Sequence, residues 1–143
     1  MKALAIKPLN LILIFFIALT LSSFTAQPDL PKPIQQYIET HFQNSKVIKY
    51  KTEWTPIKAK YKVYLSNHIE LEFGKNFDIK EIEGKAGIPK ALIPEKLLAY
   101  INEHYPDAQL KEWEKKVRKQ EVSLVNGLEL EFDLKGNFLR IDD

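Results

Sequence analysis

The sequence predicts an α+β fold in which one unit, a helix followed by a four-stranded antiparallel meander, occurs twice, so that eight strands carry two helices on one face. The segment that starts at Leu30 recurs 63 residues later from Ile93, with proline, tyrosine, isoleucine and histidine at matching positions. Each copy opens with apolar residues at helical spacing and continues with alternating apolar and polar residues. Because neither copy alone is large enough for a substantial core, we expect the two copies to share one sheet or pack closely.

Residues 1–26 have the composition of a secretory signal peptide. Lys2 and Lys7 precede an uncharged apolar stretch over residues 11–21, and small or polar residues follow up to Ala26. This stretch is shorter than the roughly 17–25 residues that a spanning helix needs, although an uncleaved N-terminal anchor is the alternative. We therefore expect a periplasmic or secreted protein that has no membrane contact after cleavage of the signal; the family resemblance described below implies a bacterial source.

The composition excludes several classes of site. The chain of 143 residues contains no cysteine, and therefore no disulfide, thiolate metal site or cysteine nucleophile. Its 21 basic and 19 acidic residues become 19 of each when Lys2 and Lys7 are set aside with the signal peptide. Since no lysine- or arginine-rich run marks a nucleic-acid surface, we expect no nucleic-acid partner. The sequence also has no glycine-rich phosphate loop, and we expect no cofactor.

Residues 27–143 are predicted to form one domain made of two repeats, residues 30–83 and 93–142. Pro31 and Pro94 suit the first turn of the two helices, and Pro106 ends the second helix. Alternation predicts strands at residues 46–54, 59–65, 69–74, 79–83, 108–117, 119–124, 128–133 and 138–142.

The alternation also predicts the hairpin turns. A two-residue turn at Asn126-Gly127 would place Leu124 opposite a glutamate and mix core with solvent. A three-residue loop, residues 125–127, instead pairs Leu124 with Leu128 and gives Gly127 a positive φ. His68 occupies the corresponding position of the first repeat, where histidine is a tolerable substitute.

This layout resembles the PepSY-like family of exported bacterial proteins, often described as beta-lactamase-inhibitor-protein-like. The resemblance rests on the export signal, on the doubled helix and meander, on residues 88–94 leading into residues 100–106, and on residues 126–133 with residues 136–138. It implies non-catalytic modules that bind, and in some cases inhibit, other exported proteins through the open sheet face and its loops. His68 and Phe77 depart from the pattern, because the second repeat has Gly127 and Gly136 there.

No catalytic or metal-binding site is predicted. His41 and His104 end the two helices, where a partly protonated imidazole complements the helix dipole. Ser66 beside His68 is interpreted as part of a turn. Residues 133–137 lack the alternating acids of a calcium loop and are interpreted as a hairpin turn.

Two surfaces are candidates for binding an exported or envelope protein or peptide. The first is the polar sheet face with Tyr64, Glu70, Glu72, Glu129 and Glu131, for which an ordinary solvated face is the alternative. On this face Glu121 is expected opposite Glu131, a like-charge pair with a small cost.

The second surface is the loop of Trp54, Pro56 and Ile57, which lies at a four-residue excess of the first repeat. An exposed tryptophan beside apolar residues is typical of an interface anchor, and packing of Trp54 over the core is the alternative. The sequence thus favours an exported, non-catalytic binding or inhibitory module. A small hydrolase or ligand carrier with a site between the repeats, or a structural envelope component, are the alternatives.

Overall fold

The computed structural model describes residues 29–55 and 59–142. The predicted signal peptide, Pro56 and Ile57 lie outside these residues. The elements, in chain order, are α1 (Lys32–His41), β1 (Val47–Trp54), β2 (Ala59–Leu65), β3 (Ile69–Phe73), β4 (Ile79–Gly84), a 3-10 turn (Lys90–Leu92), α2 (Glu95–His104), β5 (Leu110–Lys115), β6 (Lys119–Leu124), β7 (Glu129–Asp133) and β8 (Phe138–Asp142).

All eight strands form one antiparallel sheet, and their order in the sheet is their order in the chain. The two repeats meet where β4 pairs with β5, with Ile82 opposite Trp113. The expectation that the repeats share one sheet is confirmed.

Both helices lie on the same face of the sheet and bury the apolar sides of both meanders. Ile34 of α1 and Leu97 of α2 are fully buried. The Tyr37 ring lies edge-on to Phe73 with centroids 5.3 Å apart, and Tyr100 repeats this contact with Phe132 at 5.6 Å. The predicted α+β tandem repeat is therefore confirmed.

The hairpin turns have the predicted form. Gly127 has φ 96° and donates its N–H to the Leu124 carbonyl at 3.0 Å. His68 has φ 62° and donates to the Leu65 carbonyl at the same distance. The two repeats thus make one three-residue loop with different residues at its left-handed position.

The predicted end of β5 at residue 117 is wrong. The N–H of Lys116 donates to the Lys119 carbonyl at 2.9 Å, which closes a tight turn at Val117 and Arg118. A strand reaching residue 117 would leave a single residue to reverse the chain, which is fewer than the two that the shortest common hairpin loop uses.

Replacing His68 by glycine should stabilise the protein by about 0.5–1 kcal/mol. A left-handed conformation costs an L-residue roughly 1–2 kcal/mol, and the greater entropy of glycine in the unfolded chain offsets part of this gain. The measurement is urea denaturation followed by circular dichroism. The reciprocal Gly127→His variant is the control. It should be destabilised by the cost of a left-handed backbone alone, since no atom lies within 4 Å of the added Cβ and no steric clash contributes. Equal stability of H68G and the parent would contradict the strain.

Candidate functional site

The face opposite the helices carries two parallel rows of mainly charged side chains, because each pair of neighbouring strands places these residues opposite one another. We call the first the central row. It consists of Lys51, Lys62, Glu72, Glu81, Glu114, Glu121, Glu131 and Arg140. We call the second the acidic row. It consists of Lys49, Tyr64, Glu70, Glu83, Glu112, Ser123, Glu129 and Asp142. The site is therefore a surface built by strands of both repeats.

In the second repeat, cations neutralise the central row. Lys119 forms ion pairs with both Glu121 and Glu131, which lie opposite each other. Arg140 Nε donates to Glu131 Oε2 at 2.8 Å. The hydrogen bonds from Lys119 and Arg140 lower the pKa of Glu131 to about 2. The expected cost of the pair Glu121 and Glu131 is therefore wrong, because Lys119 lies between the two carboxylates.

In the first repeat, Glu72 is neutralised in a similar way. Glu72 is 6% exposed, and Lys60 Nζ lies 2.6 Å from Glu72 Oε1. Lys62 Nζ lies 3.6 Å from Glu72 Oε2 and donates to Glu70 Oε1 at 2.9 Å. Glu72 and Glu131, both predicted as docking residues, thus lie beneath lysine and arginine side chains. The alternative of an ordinary solvated face is wrong for these two positions.

The acidic row and the β4–β5 junction carry carboxylates that these cations do not reach. Glu83 lies opposite both Glu70 and Glu112, and Glu81 lies opposite Glu72 and Glu114. In residues 29–55 and 59–142, no side-chain nitrogen of a lysine, arginine or histidine lies within 4 Å of a carboxylate oxygen of Glu81, Glu83 or Glu112. We call these three residues the acidic seam.

Two carboxyl groups of the acidic seam, those of Glu81 and Glu112, have raised pKa values. Burial, and then the charges of Glu72 and Glu112, raise the pKa of Glu81 to about 7. Burial and the charge of Glu83 raise the pKa of Glu112. Farther along the acidic row, burial and a hydrogen bond with Glu121 raise the pKa of Glu129. Accordingly, the negative charge of this face changes with pH.

Tyr64 is the aromatic residue of the acidic row. Its ring is half-buried, and Lys49 Nζ lies 5.5 Å from the ring centroid. Burial and the charge of Glu70 raise the pKa of the Tyr64 hydroxyl. The predicted residues Tyr64, Glu70 and Glu129 therefore share one row on the open face.

Trp54 ends β1 with its side chain exposed. The residue is 67% exposed, and its ring lies edge-on to Tyr61 with centroids 6.1 Å apart. The alternative that Trp54 packs over the core is wrong. Pro56 and Ile57 were predicted beside it, and they lie outside the described residues.

A cleft of about 480 Å³ opens at one end of the first repeat, lined by Ile48, Tyr64, Leu65, His68, Ile69, Glu70, Glu83, Lys85 and Ala86. The neighbouring Ser66 Oγ accepts a hydrogen bond from the Lys46 N–H at 2.9 Å and so ties the turn to β1. His68 and two carboxylates thus do converge on a cleft. It lies at the end of the first repeat and the start of the linker, and the hydrolase or carrier alternative had placed its site between the repeats.

The other histidines and the suspected calcium loop have structural roles. His104 Nδ1 lies 3.0 Å from the Tyr100 carbonyl in the last turn of α2, and His41 ends α1. Asp133 Oδ1 accepts the N–H groups of Lys135 and Asn137 at 2.8 Å, which makes the predicted hairpin turn. Within the described ranges, no group of three or more histidine, aspartate or glutamate residues could hold a metal ion.

A basic hairpin, residues 115–119, joins β5 to β6 and is not among the predicted surfaces. Four of its five residues are lysine or arginine, and the fifth, Val117, is 91% exposed. The local density of positive charge could have identified it, although the balanced charge of the whole chain concealed it.

The chain is similar to a known protein family and to solved structures. The family described as "Putative beta-lactamase-inhibitor-like, PepSY-like" matches residues 22–81 and residues 59–140, which together span most of the sequence. The chain belongs to the PepSY-like family. The resemblance inferred from the sequence is confirmed. No curated protein matches the chain.

Solved structures of two related proteins share this fold. A Bacteroides thetaiotaomicron protein described as a "putative calcium-regulated periplasmic protein" is 36% identical, with 80% of this chain and 91% of that chain covered and a TM-score of 0.75. A Bacteroides vulgatus protein described as a "putative periplasmic protein" of the DUF2874 family is 35% identical, with 80% of this chain and 91% of that chain covered and a TM-score of 0.74. Across the residues described, neither helix is long and apolar enough to span a bilayer.

Proposed function

We propose that this PepSY-like chain is an exported, non-catalytic module that binds a basic segment of a periplasmic or envelope protein along its acidic row. The observation that carries the proposal is a carboxylate-rich sheet face that neither helix of residues 29–55 and 59–142 covers. Like charges on opposite strands destabilise a sheet, and the scaffold keeps Glu83 opposite both Glu70 and Glu112. A cationic partner would remove this repulsion and gain charge complementarity.

The proposed contact residues are Tyr64, Glu70 and Glu129, together with Glu83 and Glu112 of the acidic seam. Glu72 and Glu131 do not contact the partner directly in this proposal. They hold Lys60 and Arg140 in place beside the row through ion pairs. Exposed Trp54 offers a second contact on the β1 edge. Pro56 and Ile57, which follow it closely in the sequence, are proposed to take part in this contact. The predicted signal peptide and the periplasmic relatives support an exported location.

A carrier of a small ligand is the second candidate function, and the cleft beside His68 favours it. Its lining combines Ile48 and Ile69 with the polar groups of Tyr64 and Glu83. Ligand pockets typically combine an apolar lining with a few polar groups. An activity of this kind would depend on His68, and the protein-binding proposal would not.

Site-specific crosslinking tests the proposed surface. A photo-crosslinking residue replaces Ser123, which lies in the acidic row between Glu112 and Glu129, and the variant is expressed in its own cells. We expect an adduct with one envelope protein. The triple variant E83Q/E112Q/E129Q should reduce the yield by about fivefold or more, because charge complementarity governs encounter.

The matched control places the same crosslinker at Thr40, on the exposed side of α1, where no adduct is expected. A Trp54→Ser variant of the Ser123 crosslinker tests the second contact. Equal adduct yields from Ser123 and Thr40, or yields that the triple variant leaves unchanged in folded protein, would contradict the proposal.

A further inference from the structure

A second cleft, of about 320 Å³, lies at the opposite end of the open face from the acidic row. The turn between β3 and β4 forms one wall, and the basic hairpin of the second repeat forms the other. Five lysines line it, namely Lys60, Lys75, Lys80, Lys115 and Lys116, and Glu72 and Glu114 are the carboxylates in the lining. We call it the lysine cleft. Both repeats therefore contribute cations to one concavity.

Two of these lysines are free of carboxylate partners. Lys60 pairs with Glu72 at 2.6 Å, and Lys80 pairs with Asp78 at 2.5 Å. Lys116 Nζ lies 3.4 Å from Glu114 and also contacts Glu121. No carboxylate of residues 29–55 and 59–142 lies within 4 Å of the remaining two ammonium groups, those of Lys75 and Lys115.

The position of Lys80 depends on a glycine. Gly74 is buried in the wall of the cleft, and a Cβ added there would lie 2.8 Å from Lys80 Cε. The aliphatic part of Lys80 thus lies across Gly74, in space that any other residue would fill.

The repeated scaffold does not require these cations. In the second repeat, Leu134 occupies the position that corresponds to Lys75, and Leu139 the position that corresponds to Lys80. Both leucines are about half exposed. The turn between β7 and β8 nevertheless has the same form, with Gly136 donating to Asp133 as Phe77 donates to Gly74. A turn of this form therefore does not require lysine at these two positions.

We propose that the lysine cleft binds an oxyanion of the phosphate type, as inorganic phosphate or the phosphate group of a monoester. Lys75 approaches it from the β3–β4 turn and Lys115 from the basic hairpin, with Lys80 and Lys116 nearby. Lysine binds phosphate as a point charge with three rotatable donors, and ion-assisted hydrogen bonds are the strong ones. A concave site suits a discrete group better than a flat membrane surface. This site is separate from the acidic row, and its test is independent of the proposed function.

The test is a titration of the chain without residues 1–26 with inorganic phosphate at constant ionic strength, followed by amide chemical shifts. We expect saturable shifts at residues 74–75 and 115–117. The double variant K75S/K115S should weaken binding by about tenfold, because it removes two charge-assisted contacts. The control K32S/K135S removes the same charge from exposed positions outside the cleft and should change affinity by less than about twofold.

A variant with the opposite sign sharpens the test. Asp78→Asn removes the anion that occupies Lys80 and should tighten phosphate binding by about threefold, whereas Glu103→Gln on the surface of α2 should have little effect. Absence of saturation, or equal losses in the two double lysine variants, would overturn the proposal. Binding to phosphatidylglycerol vesicles without any response to free phosphate would also overturn it, since it would indicate a membrane surface.

Discussion

Replacing Phe132 by alanine should lower the free energy of unfolding by about 3–5 kcal/mol, the usual cost of removing a fully buried phenylalanine. Phe132 is 0% exposed, and its ring lies edge-on to Tyr100 and Phe138, with centroids 5.6 and 5.8 Å away. The substitution would leave a cavity beneath α2. Urea denaturation followed by tryptophan fluorescence measures the effect.

Leu134→Ala is the matched control, because Leu134 lies two residues away and is 49% exposed. It should change stability by no more than about 0.5 kcal/mol. Phe73→Ala removes the corresponding ring of the first repeat and should cost a similar amount in one cooperative transition. Two separate transitions in either phenylalanine variant would contradict a core shared by the repeats.

Lowering the pH from 8 to about 5.5 should stabilise the protein by about 1 kcal/mol, which is opposite to the effect of an ion-paired carboxylate. The folded-state pKa of Glu81 is about 7, above its ordinary value of 4.5. Between these values the folded chain holds a proton that the unfolded chain has released, so stability falls as pH rises through 7. The magnitude allows for solvent screening, because Glu81 is only half-buried.

Glu81→Gln should raise stability at pH 8 and remove most of this pH dependence. Thermal unfolding between pH 5.5 and pH 8 measures it, with Glu103→Gln as a control on the exposed surface of α2. The raised pKa of Glu112 adds a remaining slope of the same sign. A stability profile that E81Q leaves unchanged would contradict the raised pKa of Glu81.

The fold could be predicted because its determinants are local. Alternation with a period of two assigns each strand residue to a face, so Leu124 and Leu128 could share the core only through a three-residue loop. In the meanders the repeat spacing is 59 residues, four fewer than in the helices, so His68 corresponds to Gly127 and its turn could be predicted to have the same form. Neither conclusion needed any long-range contact.

The site was less predictable because it depends on contacts between distant strands. Glu129 and Glu131 alternate in the same way and have the same side chain, yet Glu131 is 3% exposed beneath Lys119 and Arg140. Side chains from β6 and β8 decide that difference, and the sequence of β7 does not contain it. Likewise, the acidic seam exists only because β4 pairs with β5, a junction that the sequence left open between one sheet and two packed units.

The agreement between strand order and chain order also bears on how the protein folds. Each strand pairs with the one synthesised just before it, so no segment must wait for a distant partner. Topologies with such short sequence separations reach the native state quickly. A chain that is synthesised from its N-terminus can therefore add strands to the sheet one at a time. This shortens the period in which an unpaired strand edge could aggregate.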